Sequence, residues 1–183
     1  MNIRPLTENP ALADLACRLL RTPNAPMAMD EAETRTVVGY MQLVNMPQGT
    51  IVFRDGDTTD NAHMLLLLTG EVVVEAGVLD GVPLSVLGPG NMIGEMGLLD
   101  GSPRSSTCTA ATPIQAAGLT RKALEMLIER HPKAGAKLMV SLSNRMSERL
   151  RAMSDQLRLY ASITPPDAPT VKLTIPPGLR TMR

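Results

Sequence analysis

The sequence predicts an α+β chain: an antiparallel, jelly-roll-like β-roll with flanking helices and one long C-terminal helix. Three observations lead there. Short apolar runs separated by turn signals about every eight to twelve residues fill the middle of the chain, from Gln48 to Leu119. On either side the apolar residues recur at helical spacing. Beyond Pro132 a seam of Met139, Leu142, Met146, Leu150, Met153, Leu157 and Tyr160 advances in steps of three and four, as in a coiled coil.

Taken in order, residues 8–21 place apolar side chains at 12, 15, 16, 19 and 20, a helical stripe broken by Thr22-Pro23-Asn24-Ala25-Pro26. A second helix is expected from Asp30 or Glu31, whose negative charges suit a helix N-terminus, to about Leu43. Strands follow at Thr50–Arg54, His63–Leu68, Glu71–Glu75, Pro83–Leu87, Ser105–Ala110 and Ile114–Leu119. Turns are expected at Asp55-Gly56-Asp57, Thr69-Gly70, Leu79-Asp80-Gly81 and Gly88-Pro89-Gly90. Thr120 is the expected N-cap of a helix over Arg121–Arg130. His131-Pro132 ends that helix, because the residue before proline disfavours helical backbone. The next helix runs from Pro132 to about Tyr160, and the five prolines after Ile163 predict an extended, disordered tail. The expected organisation is therefore 1–34, an N-terminal helical segment; 35–131, the β-roll; 132–162, the long helix; and 163–183, the tail.

Composition narrows the function. With 44% apolar and 20% charged residues, the chain can build a real core. It has no run of 18 apolar residues, so no membrane helix is expected. Met1-Asn2-Ile3-Arg4-Pro5 lacks the apolar core of a signal peptide, so the expected location is cytoplasmic. Cys17 and Cys108 share no motif and read as reduced thiols. One Phe, two Tyr and no Trp leave no stacking platform for single-stranded nucleic acid. The zero net charge hides an asymmetry. Residues 1–120 carry 6 Lys/Arg against 13 Asp/Glu, whereas residues 121–160 carry 9 against 4. That basic excess is smaller than a sequence-reading DNA binder usually shows, so direct DNA binding is not expected.

The chemistry concentrates in Gly94-Glu95-Met96-Gly97-Leu98-Leu99-Asp100-Gly101-Ser102-Pro103-Arg104-Ser105-Ser106-Thr107. A glycine turn leads into a short helical segment, then a second turn, an arginine and small hydroxyl residues. Gly94 and Gly97 allow close backbone approach, and the N–H groups that open the short helix can face an anion. Arg104 brings a planar fork matched to phosphate oxygens, and Ser105 a hydroxyl donor. Glu95 can accept from a ribose hydroxyl.

This segment resembles the phosphate-binding cassette of the cyclic-nucleotide-binding family, whose pattern is Gly-Glu-x-x-Leu, a turn, then Arg-(Ala/Ser/Thr)-Ala-Thr. The likeness extends to Gly49–Asp57, similar to the family's first strand and turn, and to the Leu65–Val74 hairpin. From Glu95 to Ala161 the chain is similar to the sensor domain of the family's bacterial catabolite activators. The resemblance implies a bacterial regulator that binds a cyclic nucleotide without catalysis: cAMP first, cGMP second, a cyclic dinucleotide third. It implies a ligand site of Gly94, Glu95, Met96, Gly97, Arg104, Ser105, Ser106 and, from across a dimer, Ser154. It implies no catalytic residue, metal or catalytic cofactor. Partners would be a second copy, met through 139–160, or an unidentified protein. Two departures stand out. Ser106 replaces the usual Ala. Met153 and Ser154 align with a Thr-Ser pair that reads adenine, and Met153 cannot hydrogen-bond as Thr does, so adenine selectivity does not carry over. Ser105, Ser106 or Thr107 are then candidates for a guanine edge. Only 23 Pro-rich residues follow Tyr160, where transcription factors of the family carry a helix-turn-helix, so the resemblance implies a sensor without a DNA-reading module.

Competing readings are a degenerate cassette in which Glu95 and Arg104 serve structure alone, within a protein-interaction module, and a cupin-type metalloenzyme. The latter needs several histidines around one metal, and His63 and His131 are the only two. An iron–sulfur sensor needs about four cysteines, and no Gly-x-Ser-x-Gly nucleophile motif occurs.

Overall fold

A computed structural model describes residues 3–21, 27–59, 61–75 and 83–163. The expected break at 22–26, the turn at 79–81 and the tail beyond 163 lie outside these. The chain divides into two compact units, Met1–Arg145 and Met146–Arg183.

In the first unit, two antiparallel sheets and a layer of helices enclose two cores. Strands β1 (Ile3–Pro5), β2 (Gln42–Met46), β9 (Ile114–Thr120), β4 (His63–Thr69) and β7 (Met92–Ile93) lie side by side in one sheet. Strands β3 (Ile51–Phe53), β8 (Thr107–Ala110), β5 (Val72–Glu75) and β6 (Pro83–Leu87) form the second. The sequence of β4, His63-Met64-Leu65-Leu66-Leu67-Leu68-Thr69, does not alternate, because both of its faces are covered. Leu65 and Leu67 join Val44, Phe53, Val72, Ile93, Cys108 and Ile114 in one core. Met64, Leu66 and Leu68 join the other, formed with the helices. Each fully buried leucine here contributes about 1.5–3 kcal/mol. The neighbouring strand β9 carries Ala116, Ala117 and Gly118, small residues that let both layers close in.

Helix α1 (Pro10–Leu20) opens with the Asn9 side chain accepting from Leu12 N–H at 3.2 Å and with proline at its first position. Helix α2 (Glu31–Val38) opens with a reciprocal cap between Asp30 and Glu33. It stops at Val38, short of the expected Leu43. Gln42–Met46 pairs with β9 from Gln42↔Gly118 to Met46↔Ile114, and this tertiary ladder overrides a pattern that suits a helix equally well. Strands β1 and β7 have no counterpart among the expected strands, being only three and two residues long.

Helix α3 (Glu95–Asp100) is the short segment expected in the motif. Helix α4 (Arg121–Arg130) is capped by Thr120, which accepts from Ala123 N–H at 3.2 Å. After His131, whose ring meets Tyr40 edge-on at 6.0 Å, helix α5 spans Pro132–Ile163. A Cβ on Gly135 would stand 2.8 Å from Ile128, so the α4–α5 corner is closely packed. Several side chains bind the first half of α5 to its unit. Lys137 Nζ donates to Glu33 Oε2 at 2.7 Å, and Arg145 donates to the carbonyls of Gly90 and Leu19 at 2.6 and 2.7 Å.

The coiled-coil seam is thereby corrected. Leu142 is buried and Met139 packs against the helical core, so these positions belong to the domain itself. In the second unit Leu150, Met153 and Leu157 are 66%, 55% and 62% exposed. Among the described residues no helix is long and apolar enough to cross a membrane.

Candidate functional site

The cassette lies between the end of β7 and the start of β8. Gly94 turns the chain into α3 with φ of 78°, a left-handed conformation in which a side chain is strained. Space forbids one as well: a Cβ there would stand 2.5 Å from Arg104 Nη1 and 2.8 Å from the Phe53 ring. Gly97 is closely set too, since a Cβ added to it would stand 2.9 Å from Asn61 O.

Arg104 is only 4% exposed. Its Nη1 donates to Gly94 O and its Nη2 to His63 O, both at 2.9 Å. Its guanidinium carbon lies 3.8 Å from the centroid of the Phe53 ring, a desolvated cation–π contact of up to about 2 kcal/mol. The Arg104 main chain is fixed by the turn after β3: Arg104 N–H donates to Asp57 O at 2.9 Å, and Gly56 N–H to Arg104 O at 2.8 Å. Glu95, the first residue of α3, is also 4% exposed. Gly94, Glu95, Gly97 and Arg104 thus lie in one short segment, with a buried acidic residue next to Gly94 and a buried guanidinium on its carbonyl.

The hydroxyl residues are placed less uniformly. Ser105 Oγ donates to Met96 Sδ at 3.8 Å, and Met96 is 44% exposed. Ser106 Oγ lies 3.8 Å from Cys108 Sγ. Thr107, a candidate for a guanine edge, accepts from Asp55 N–H at 3.1 Å and so braces the β3 turn. Ser154 belongs to the second unit, where its Oγ donates to Leu150 O of its own helix at 2.9 Å.

Sequence reasoning missed four supporting groups. Phe53 carries the Arg104 guanidinium, and the His63 carbonyl receives it. Asn61 Nδ2 donates to Gly101 O at 2.7 Å. Arg121 donates from Nε to Leu98 O at 3.1 Å and from Nη2 to Gly97 O at 2.7 Å. The sequence holds one signal for Arg121: a cation at the first position of a helix opposes that helix's dipole, which points to an acceptor elsewhere. At the end of α3, Asp100 accepts from Ser102 N–H at 2.8 Å, which holds its carboxyl below the ordinary value.

A glycine turn, a six-residue helix and a buried arginine thus stand together in the segment between β7 and β8 of an antiparallel two-sheet fold. Residues 43–131 match the family model of the cyclic nucleotide-binding domain, and this part of the chain belongs to that family. Among solved structures, the chain is similar to a cyclic nucleotide-binding domain from Methylobacillus flagellatus KT, at 28% identity and TM-score 0.73, over 86% of this chain and 88% of that one. It is similar to the catabolite activator protein of Thermus thermophilus, at 30% identity and TM-score 0.61, over 78% of this chain and 63% of the other. It is also similar to the protein kinase A regulatory domain of Toxoplasma gondii, crystallised with cAMP, at 27% identity and TM-score 0.54, over 63% of this chain and 44% of that one. No curated protein sequence matches the chain.

Proposed function

We propose that this protein is a non-catalytic cyclic-nucleotide sensor, with cAMP as first ligand, cGMP as second and a cyclic dinucleotide as third. The observation that carries the reading is a buried arginine fork that holds the Gly94 carbonyl, with a second buried charged residue, Glu95, next to it in the chain. Charges are rarely kept at 4% exposure unless they are paired or serve a ligand. The pairing of roles follows from chemistry: the Arg104 fork suits phosphate oxygens, and the Glu95 carboxylate suits a ribose hydroxyl. Gly94, Met96, Gly97, Ser105 and Ser106 complete the proposed contact set. The similar Toxoplasma domain holds cAMP, which supports cAMP as the first ligand to try.

The same reading assigns the output to α5. Leu150, Met153 and Leu157 form an exposed apolar stripe at steps of three and four, the spacing of a two-helix seam. A second copy covers it, and Ser154 reaches the nucleotide held by that copy. The functional subdivision is 1–34, 35–131, 132–162 and 163–183, in a cytoplasmic regulator.

A second reading has one observation in its favour. The Arg104 guanidinium already donates to two main-chain carbonyls and stacks on Phe53, so a role in structure alone, within an interaction module, accounts for its burial. Calorimetric titration with cAMP, cGMP and cyclic di-GMP decides between them. Micromolar or tighter binding that weakens in Arg104→Lys supports the sensor. No heat from any of the three, with the protein folded, supports the interaction module.

A further inference from the structure

We infer that Arg121 is the positioning residue that couples the cassette helix α3 to the helices after it; the inference rests on the nucleotide reading above. The observations concern both ends of α3. Its front is held by Arg104, which takes the carbonyl of Gly94. Its rear is held by Arg121, which takes the carbonyls of Gly97 and Leu98. A six-residue helix has almost no internal ladder, and its last carbonyls need outside donors. The Gly101 N–H supplies one, to Gly97 O at 3.1 Å. Arg121 adds two more, as a cation at the negative end of the helix dipole.

Arg121 is at the same time the first residue of α4. Its own N–H donates to Ala62 O at 2.8 Å, and Thr120 beside it is the α4 cap. The side chain and main chain of one residue therefore join α3 to the start of α4 with no flexible linker between them. Beyond α4 the corner is equally stiff, because Gly135 lies against Ile128 without room for a side chain. A phosphate that draws Arg104 from the Gly94 carbonyl changes the front of α3. The rear carbonyls shift with it, and the Arg121 fork carries that shift into the first turn of α4. Ligand and helix state then share one two-ended element, which is the physical requirement for coupling between sites.

The test is hydrogen–deuterium exchange of the full chain with and without saturating cAMP or cGMP, beside calorimetry, in wild type, Arg121→Gln and Arg121→Lys. In the wild type, nucleotide is expected to slow exchange in 94–107 and also in 121–131. Arg121→Gln is expected to bind, to keep the slowing in 94–107, and to lose it in 121–131. Arg121→Lys, a point charge without the fork, is expected to fall between them, and it serves as the readable variant if Arg121→Gln does not fold. Undiminished slowing in 121–131 in a variant that binds overturns the inference while leaving the nucleotide reading intact. No heat from wild type with cAMP, cGMP or cyclic di-GMP overturns the nucleotide reading, and the inference with it.

Discussion

Gly94 and Arg104, ten positions apart, are bound to each other so closely that neither can change alone: the guanidinium of one donates to the carbonyl of the other at 2.9 Å and fills the space where its side chain would begin. Gly94→Ala therefore combines left-handed strain with overpacking and is expected to destabilise the domain by about 2–4 kcal/mol. Gly56 has nearly the same φ, 76°, with nothing within 4 Å of its missing Cβ, so Gly56→Ala is expected to cost only about 1–2 kcal/mol. Urea unfolding midpoints of the two variants separate clash from strain, and equal losses would refute the clash.

Arg104→Ala leaves the carbonyls of Gly94 and His63 without this donor, at about 1–3 kcal/mol for each buried group. It is expected to weaken the fold as well as the site, so lost binding in that variant is ambiguous by itself. Arg104→Lys keeps the charge but not the fork. We expect it to unfold within about 2 kcal/mol of wild type and to bind cyclic nucleotide at least about tenfold more weakly. Paired calorimetry and denaturant titration measure both quantities, and unchanged affinity would remove Arg104 from the site.

Glu33 predicts a pH dependence. Its carboxylate accepts from Lys137 Nζ at 2.7 Å and from Asp30 N–H at 2.9 Å, with Lys133 Nζ at 3.3 Å. The Lys137 bond above all, then the Asp30 N–H, holds its carboxyl down to about 2, from an ordinary value of 4.5. A depressed carboxyl stabilises the folded state fully above its unfolded value, and this is lost as pH falls through the folded one. Wild-type stability is thus expected to decline between pH 4.5 and about 2 more steeply than that of Glu33→Gln. Parallel denaturation midpoints across that interval would contradict the assignment.

The exposed stripe on α5 makes a prediction about assembly. Leu150→Glu with Leu157→Glu replaces two side chains that are 66% and 62% exposed, so each change is expected to alter the folded monomer by less than about 0.5 kcal/mol. Sedimentation equilibrium is expected to show a wild-type dimer and a monomeric double variant. A monomeric wild type would dismiss the second copy as the cover of this stripe.

The fold is most legible in the sequence where local chemistry and tertiary context agree. The cap at Thr120, the helix start at Asp30–Glu31, the break at His131-Pro132 and the strand expected over His63–Leu68 all stand in the pattern of single segments. The cassette is legible for a related reason, since its glycines, acid and arginine are close in the chain. The misses have a common physical origin. Gln42–Met46 is a strand because β9, which pairs Asn45 with Gln115, offers it a ladder from far along the chain. Met139 and Leu142 share the periodicity of Leu150 and Leu157, but their own domain covers them, and periodicity does not name the partner. Arg121 acts on the carbonyls of Gly97 and Leu98, well upstream of it, a relation no local window contains.

The edge-on meeting of Tyr40 and His131 has an optical consequence. The chain contains no tryptophan, so Tyr40→Trp would set a single indole against the imidazole at the corner between α4 and α5. Its emission, sensitive to the polarity and quenching of that one contact, would turn the corner into a label-free gauge of how the helices respond when the cassette is filled.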